Sequence, residues 1–190
     1  MVKRVRSDLE LYFDHGIDLA TRTVYIGDPN DGDGDIGPKT AADAIKGLHI
    51  FTHSYDPEKP INIVLNSSGG NVTDGLAIHD AIVNCTAHVN ITVYGQCCSI
   101  AMAILQAGDS RYATKNAWLM VHDGEAENGI IQTRDVDVLK EITDKQKWQY
   151  YNILAKYSSL SPKDWGEKCR YDYWMSAEDA YLLGLIDGVI

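Results

Sequence analysis

The chain has 190 residues, of which 45% are hydrophobic and 23% charged, as is typical of one globular domain with a full core. Its formal net charge of −10 argues against a nucleic-acid-binding surface. No apolar run reaches the ~18 residues of a membrane span, and residues 1–10 lack the apolar segment of a secretory signal. A cytoplasmic protein is therefore expected.

The pattern of apolar runs and turn residues predicts strands that alternate with helices. In chain order we predict a strand at 23–26, a helix at 38–52, a strand at 61–65, a helix at 73–83, a strand at 89–94, a helix after Ser99, a strand at 117–121, a long helix at about 131–158, short helices that open at Ser161 and Ser176, and a strand-like end at 185–190. This alternation predicts an α/β fold with a mostly parallel sheet.

Three loops follow predicted strands, at the edge where parallel sheets form their sites. The loop at 66–70 carries two glycines whose backbone N–H groups can approach a ligand, the loop at 95–99 ends in Ser99, and His122 follows the third strand. A nucleophilic serine needs a base, and histidine suits neutral pH. Plainer interpretations remain open: Ser99 as a helix N-cap, His122 as a core histidine and the glycines as a turn.

A histidine base also needs a carboxylate that orients it. The residues alone do not select one of the 27 acidic side chains for this role. The four cysteines show no spacing typical of a zinc site, so no metal is expected.

Four segments of the chain make a more specific pattern. They read NSSGGNVTDGLAI at 66–78, GQCCS at 95–99, LMVH at 119–122, and DYWMSAEDA with GLID within 172–187. In order and spacing they resemble the NSPGG-x-V-x-x-G-x-A-I, GQAAS, M-I-H and D-x-F-M-S-A-x-E-A…G-L-I-D motifs of the ClpP family of serine peptidases, which includes phage-type members. The resemblance runs from about residue 22 to residue 189.

The resemblance implies a role for each site residue. Ser99 would be the nucleophile, His122 the general base and Asp172 the orienting carboxylate. The backbone N–H groups of Gly70 and Ile100 would form the oxyanion hole, which agrees with a glycine backbone and a helix N-terminus converging on a developing charge.

The resemblance also implies a ClpP/crotonase-like fold and an assembly. The long helix at about 131–158 would be a handle within a peptidase domain at 22–190, and residues 1–21 would form an N-terminal segment that faces an ATPase. Such a protein is a serine endopeptidase that cleaves unfolded proteins and peptides inside a homo-oligomeric ring. The ring would be a heptamer or a double-ring tetradecamer, fed by an AAA+ unfoldase in the cytoplasm, or in the host cytoplasm for a phage protein.

No metal or organic cofactor is required by this chemistry. The chain has no P-loop motif, so ATP would be used only by a partner. Three other functions are weighed: a silent ClpR-like ring subunit, an acyl-CoA enzyme of the crotonase superfamily, and a phage head-maturation protease. The complete set of Ser99, His122 and Asp172 disfavours the first two, and the third shares the chemistry.

Several positions depart from the family pattern. Ser68 replaces a proline and is expected to loosen its loop, and the pair Cys97 and Cys98 replaces two alanines and is interpreted as packing. Asp123, with Glu125 and Glu127, leads us to expect an acidic surface that favours basic peptides. The acidic loop at 28–36 matches a calcium loop poorly and is interpreted as a solvated turn.

Overall fold

The computed structural model describes residues 2–27, 35–53, 57–124 and 136–190, and within these ranges an eight-stranded sheet forms the centre of the protein. The helices are α1 (Val2–His15), α2 (Pro38–His53), α3 (Val72–Val83), α4 (Ile100–Gln106), α5 (Val136–Ala155), α6 (Pro162–Lys168) and α7 (Ala177–Leu182). The strands are β1 (Ile17–Asp18), β2 (Thr23–Ile26), β3 (Asp35–Ile36), β4 (Ile61–Ser67), β5 (Gly69–Gly70), β6 (Val89–Cys98), β7 (Ser110–Ala113), β8 (Trp118–Val121), β9 (Tyr173–Ser176) and β10 (Gly188–Val189).

The main sheet is mostly parallel, as the alternation of strands and helices predicted. Its order is β1-β2-β4-β6-β7-β10, with β8 beside β6 and β9 beside β8. The antiparallel pairs in it are β1 with β2 and β8 with β9. The predicted α/β class is therefore confirmed, with helices around a central and mostly parallel sheet.

Strand β6 is longer than the predicted strand at 89–94, and its two halves pair with different strands. Its first half pairs with β7, and residues 96–98 pair with β8. Gly95 has φ +70°, and the side-chain oxygen of Asn66 accepts a hydrogen bond from the N–H of Gln96 at 3.1 Å. The predicted strand end at Gly95 is thus a local irregularity, where glycine supplies the positive φ, and the strand continues to Cys98.

Helix α4 lies at the centre of the core. All of its residues are buried, and α3 and α5 pack against it. Gly75 permits the close approach of α3, because a Cβ at that position would lie 2.2 Å from Cγ1 of Ile100. Burying an aliphatic side chain contributes about 1.5–3 kcal/mol, so this apolar helix strongly stabilises the turn that precedes it.

The short helices begin where the sequence predicted. Ser161 and Ser176 each accept a hydrogen bond from the backbone N–H three residues later, at 3.2 and 3.1 Å, and each serine N–H is bonded by an aspartate. These reciprocal bonds are capping boxes, and they satisfy N–H groups that a helix start otherwise leaves without partners.

Other boundaries differ from the predictions. The long helix is described from Val136 to Ala155, so it ends three residues before 158, and residues 131–135 of the prediction lie outside the described residues. The strand-like end at 185–190 is a strand only at Gly188–Val189. The N-terminal segment contains helix α1, and its His15 Nδ1 lies 3.0 Å from the buried Asp43 of α2. Most of the acidic loop at 28–36 lies outside the described residues, and only β3 is seen at its end.

An ion pair between the buried Arg111 and the exposed Asp187 holds the C-terminal segment against β7. The side chain of Arg111 donates to Asp187 at 2.6 Å and to the amide oxygen of Gln106 at 3.2 Å. The amide nitrogen of Gln106 donates to the carbonyl of Leu185 at 3.0 Å. Strand β7 was missed in the sequence because its charged residue is buried only through these tertiary partners.

Candidate active site

Ser99 occupies the turn between β6 and α4 in a strained backbone conformation. Its φ is +55° and its ψ is −128°, which is unfavourable for a residue other than glycine. Its N–H donates to the carbonyl of Met120 at 2.8 Å, and its carbonyl accepts from the N–H of Met102 at 3.0 Å. Ser99 stands at the N-cap position of α4 but makes no side-chain capping bond. Ser99 is thus the N-cap residue by position, as the plainer interpretation had it, but its hydroxyl does not cap the helix.

His122 and Asp172 lie next to this hydroxyl. The Nε2 atom of His122 is 2.9 Å from Oγ of Ser99, and its Nδ1 atom is 3.1 Å from Oδ1 of Asp172. With the imidazole proton on Nδ1, His122 donates to the carboxylate and accepts the serine O–H. The histidine side chain is 25% exposed and the aspartate side chain 60% exposed. The three side chains therefore lead from the core at Ser99 to the surface at Asp172.

The sheet explains how these distant residues meet. His122 directly follows the end of β8, and Asp172 directly precedes β9. In the antiparallel pairing of these strands Val121 lies opposite Tyr173, which places His122 and Asp172 side by side. Ser99 joins them because the end of β6 pairs with β8.

The glycine loop lies beside Ser99. A Cβ on Gly69 would lie 2.6 Å from the Cβ of Ser99, and the φ of Gly69 is +110°. Gly70 pairs with Ile36 across the small sheet of β3 and β5. Ser68, which was expected to loosen this loop, donates a hydrogen bond to Asp35 at 2.8 Å. The loop is thus tied to β3 where the family pattern has a proline.

The two predicted oxyanion donors come from different elements. Gly70 belongs to β5, and Ile100 is the first residue of α4. The N–H of a first helical residue has no acceptor within its helix, and the helix dipole favours negative charge there. Backbone groups of this kind can stabilise an oxyanion on a substrate bound at Ser99.

A cavity of about 220 Å³ opens at the serine. Its walls come from the site and from α5, and they include Ser99, Ile100, His122, Tyr150, Tyr151 and Lys147. Sequence reasoning missed the contribution of α5, because Tyr150 reads there only as an apolar position at helical spacing. The signal in the sequence was that Tyr150 and Tyr151 are adjacent, because neighbouring residues of a helix point in different directions and therefore reach different parts of the protein.

Asp123 does not present the free carboxylate that was expected to attract basic peptides. It accepts a hydrogen bond from the hydroxyl of Tyr151 and lies 3.2 Å from Nζ of Lys147. Its charge is therefore paired within the protein. Glu125 and Glu127, the other members of the expected acidic surface, lie outside the described residues.

The cysteines near the site are free and buried, which agrees with the interpretation as packing residues. Burial, and then the neighbouring Asp172, raises the pKa of Cys98 to about 11. Burial also raises the pKa of Cys97 well above its ordinary value, and that of Cys169 to about 12. These thiols stay protonated at neutral pH.

The part of the chain that the structure describes has neither a metal-binding cluster nor a membrane-spanning helix. Their His, Cys, Asp and Glu side chains form no group of three that could hold a metal ion. None of the helices described is both long and apolar enough to cross a membrane.

The mixed α/β fold, with helices around a central and mostly parallel sheet, is consistent with the ClpP fold. The family model of the Clp protease matches residues 19–190, nearly the whole chain. The chain therefore belongs to the Clp protease family.

Proposed function

We propose that the protein is a serine endopeptidase with Ser99 as nucleophile, His122 as general base and Asp172 as orienting carboxylate. The observation that carries this proposal is the pair of hydrogen bonds that joins the three side chains, at 2.9 and 3.1 Å. The positive φ of Ser99 supports it, because such strain is retained mainly where function requires it.

The proposed mechanism is acyl transfer through a covalent intermediate. The Oγ atom of Ser99 attacks the scissile carbonyl while Nε2 of His122 accepts its proton, and Asp172 stabilises the imidazolium. The N–H groups of Gly70 and Ile100 donate to the oxyanion, and losing one such donor typically costs about 10²–10³ in kcat. His122 then protonates the leaving amine, and water repeats the sequence on the acyl-enzyme. No step uses a metal or an organic cofactor.

We further propose that the substrates are unfolded proteins and peptides, and that copies of the chain form a ring around them. Membership of the Clp protease family, which generally forms oligomeric rings, supports this assembly. Helix α5 supports it too, because Val138, Leu139 and Ile142 are exposed apolar residues that an assembly would cover. The ring is proposed to be a heptamer or a double-ring tetradecamer that works in the cytoplasm with an AAA+ unfoldase.

A fluorophosphonate tests the proposed nucleophile directly, because an activated serine displaces its fluoride much faster than an ordinary hydroxyl does. Intact-mass analysis of the wild-type protein should give one adduct, and peptide mapping should place it on Ser99. The variants Ser99→Ala and His122→Ala should give none. A folded, assembled wild-type protein that forms no adduct would contradict the proposal and favour the silent ring subunit.

The chain offers its own matched control for this experiment. On the surface, Nε2 of His88 lies 2.9 Å from Oγ of Ser110, and Nδ1 of His88 lies 4.0 Å from Asp109. This group repeats the residue types of the proposed triad, but Ser110 begins strand β7 and no helix N-terminus follows it. The variant His88→Ala should label like the wild type, and no adduct should appear on Ser110.

Native mass spectrometry tests the assembly separately. The expected masses are seven or fourteen times the mass of the chain. A monomer that still labels at Ser99 would contradict the ring and leave the proposed triad standing.

A further inference from the structure

Two adjacent tyrosines of α5 reach two different segments of the site. The hydroxyl of Tyr150 donates to the carbonyl of Ser99 at 2.9 Å, and the hydroxyl of Tyr151 donates to the carboxylate of Asp123, the residue after His122. Both tyrosines are at most 8% exposed. Burial raises the pKa of each phenol, and the bond to Asp123 raises that of Tyr151 further, so both stay protonated as donors.

Asp123 connects three parts of the protein. Its N–H donates to the carbonyl of Cys169 at 2.7 Å, and Cys169 lies three residues before Asp172. Its carboxylate is held by Tyr151 and Lys147 from α5. A single residue thus ties the end of β8, the loop that carries the proposed carboxylate, and helix α5 to one another.

The two tyrosine hydrogen bonds differ in whether other contacts also hold the segment to which the tyrosine is bonded. The carbonyl of Ser99 also accepts from the N–H of Met102, so it keeps one partner without Tyr150. The ladder of β8 ends at Val121, so the backbone after it is held through Asp123. A hydrogen bond to a carboxylate is also about twice as strong as one between neutral groups. The bond made by Tyr151 therefore has the larger structural consequence.

We propose that Tyr151 is a positioning residue, which acts through Asp123 and Lys147 to hold His122 and Asp172 in register with Ser99. This inference rests on the proposed function, because it concerns the alignment of the same three side chains.

The test is the variant Tyr151→Phe, which removes one hydroxyl and keeps the buried ring. Displacing a reacting group by about 1 Å can cost 10²-fold in rate, so we expect kcat for a fluorogenic peptide to fall about 10- to 100-fold. KM should stay within about twofold, because the hydroxyl is occupied by Asp123 and unavailable to substrate. The rate of fluorophosphonate labelling at Ser99 should fall in parallel with kcat.

Two further comparisons separate positioning from a general loss of stability. Asp123→Asn keeps an oxygen that can accept from Tyr151, so it should retain more activity than Asp123→Ala. The double variant Tyr151→Phe with Asp123→Ala should lose less than the product of the two single losses, because both remove the same bond. As a matched control, Tyr157→Phe removes a hydroxyl from a tyrosine whose ring packs on Arg111, and it should leave kcat unchanged.

The outcomes distinguish this inference from the proposed function. If the wild type labels at Ser99 and Tyr151→Phe labels at the same rate, this inference is wrong and the proposed function stands. A loss of kcat matched by an equal loss of folded or assembled protein also overturns it, as does a change confined to KM. An inert wild type overturns both proposals.

Discussion

The two ends of the proposed triad lie in very different surroundings. Ser99 sits between Cys98 and Ile100, which are both almost fully buried, and its backbone is bonded by β8, α4 and α5. Asp172 follows Tyr171, a residue that is 82% exposed, and its own side chain is mostly exposed beside β9, at an edge of the sheet. The core of the fold thus fixes Ser99, the proposed nucleophile, whereas Asp172 is held by a few contacts near the surface. Its alignment can change without unfolding the protein.

We expect the largest loss of activity from a change at Asp172, the exposed member of the proposed triad. In Asp172→Asn an amide replaces the carboxylate, so the preferred tautomer of His122 and the stabilised imidazolium are both lost. We expect kcat/KM to fall by about 10³-fold or more, while the free energy of unfolding changes by less than about 0.5 kcal/mol because the side chain is exposed. Peptide hydrolysis and chemical denaturation measure the two quantities.

Glu167→Gln is the matched control for that variant. Glu167 is an exposed carboxylate 3.7 Å from Arg170, five residues before Asp172, and its change should affect neither quantity. If both variants were equally active, Asp172 would not be the orienting carboxylate.

At Ser99, the buried member of the proposed triad, we expect a change in the neighbouring glycine loop to disturb the backbone. Gly69→Ala places a Cβ 2.6 Å from the Cβ of Ser99 and 2.9 Å from the carbonyl of Cys98, at a φ of +110°. We expect fluorophosphonate labelling to slow about 100-fold and the free energy of unfolding to fall by about 2–4 kcal/mol. Gly37→Ala is the control, because nothing lies within 4 Å of the added Cβ and φ is ordinary there. A fully active Gly69→Ala protein would contradict the tight packing of the loop on the serine.

The same contrast explains what the sequence could predict. Buried strands and the glycine, serine and histidine that follow them have a local signature, so the fold class and two of the three triad candidates were accessible from the residues. The third, Asp172, came only from the family resemblance, because an exposed carboxylate at a strand edge looks like any other acidic residue.

Contacts between distant elements were beyond the reach of the sequence. Where β6 continues past Gly95, the N–H of Gln96 donates to the side-chain oxygen of Asn66 on the neighbouring strand. The bond from Tyr151 to Asp123 joins residues 28 positions apart, and a helical pattern cannot indicate it. Local periodicity predicts which face of an element is buried, but it does not predict which polar groups meet there.

A third prediction concerns the frame behind the nucleophile. Arg111→Met keeps much of the apolar stem but leaves the carboxylate of Asp187 and the amide oxygen of Gln106 without their partner. We expect the free energy of unfolding to fall by about 1–3 kcal/mol, because the buried amide oxygen of Gln106 loses its donor, whereas the carboxylate of Asp187 is 39% exposed and reaches solvent. Labelling of the folded protein at Ser99 should be nearly unchanged. The control Lys145→Met, which breaks an exposed pair with Glu141, should cost less than about 0.5 kcal/mol.

We expect a smaller change in the free energy of unfolding when the pH is lowered. Burial alone would raise the pKa of Asp187, but hydrogen bonds from the side chain and backbone of Arg111 lower it below 3.8. A lowered pKa in the folded state gives stability that is present above the unfolded value and lost as the pH falls through the folded one. We therefore expect the free energy of unfolding to decline below about pH 4. The decline should be shallower in Arg111→Met, and equal slopes would contradict this assignment.

The smallest expected effect is a change in the rate at which the thiol of Cys98 is alkylated. Cys98 adjoins Ser99, and burial followed by the charge of Asp172 raises the pKa of Cys98 to about 11. Iodoacetamide at pH 8 should therefore modify Cys98 at least about tenfold more slowly than the half-buried Cys85, as peptide mapping can measure. Removing the negative charge in Asp172→Asn lowers the pKa of Cys98 again and should speed its modification a few-fold, whereas Glu167→Gln should not. Equal rates in the two variants would mean that the carboxylate of Asp172 does not lie against the turn that holds Ser99.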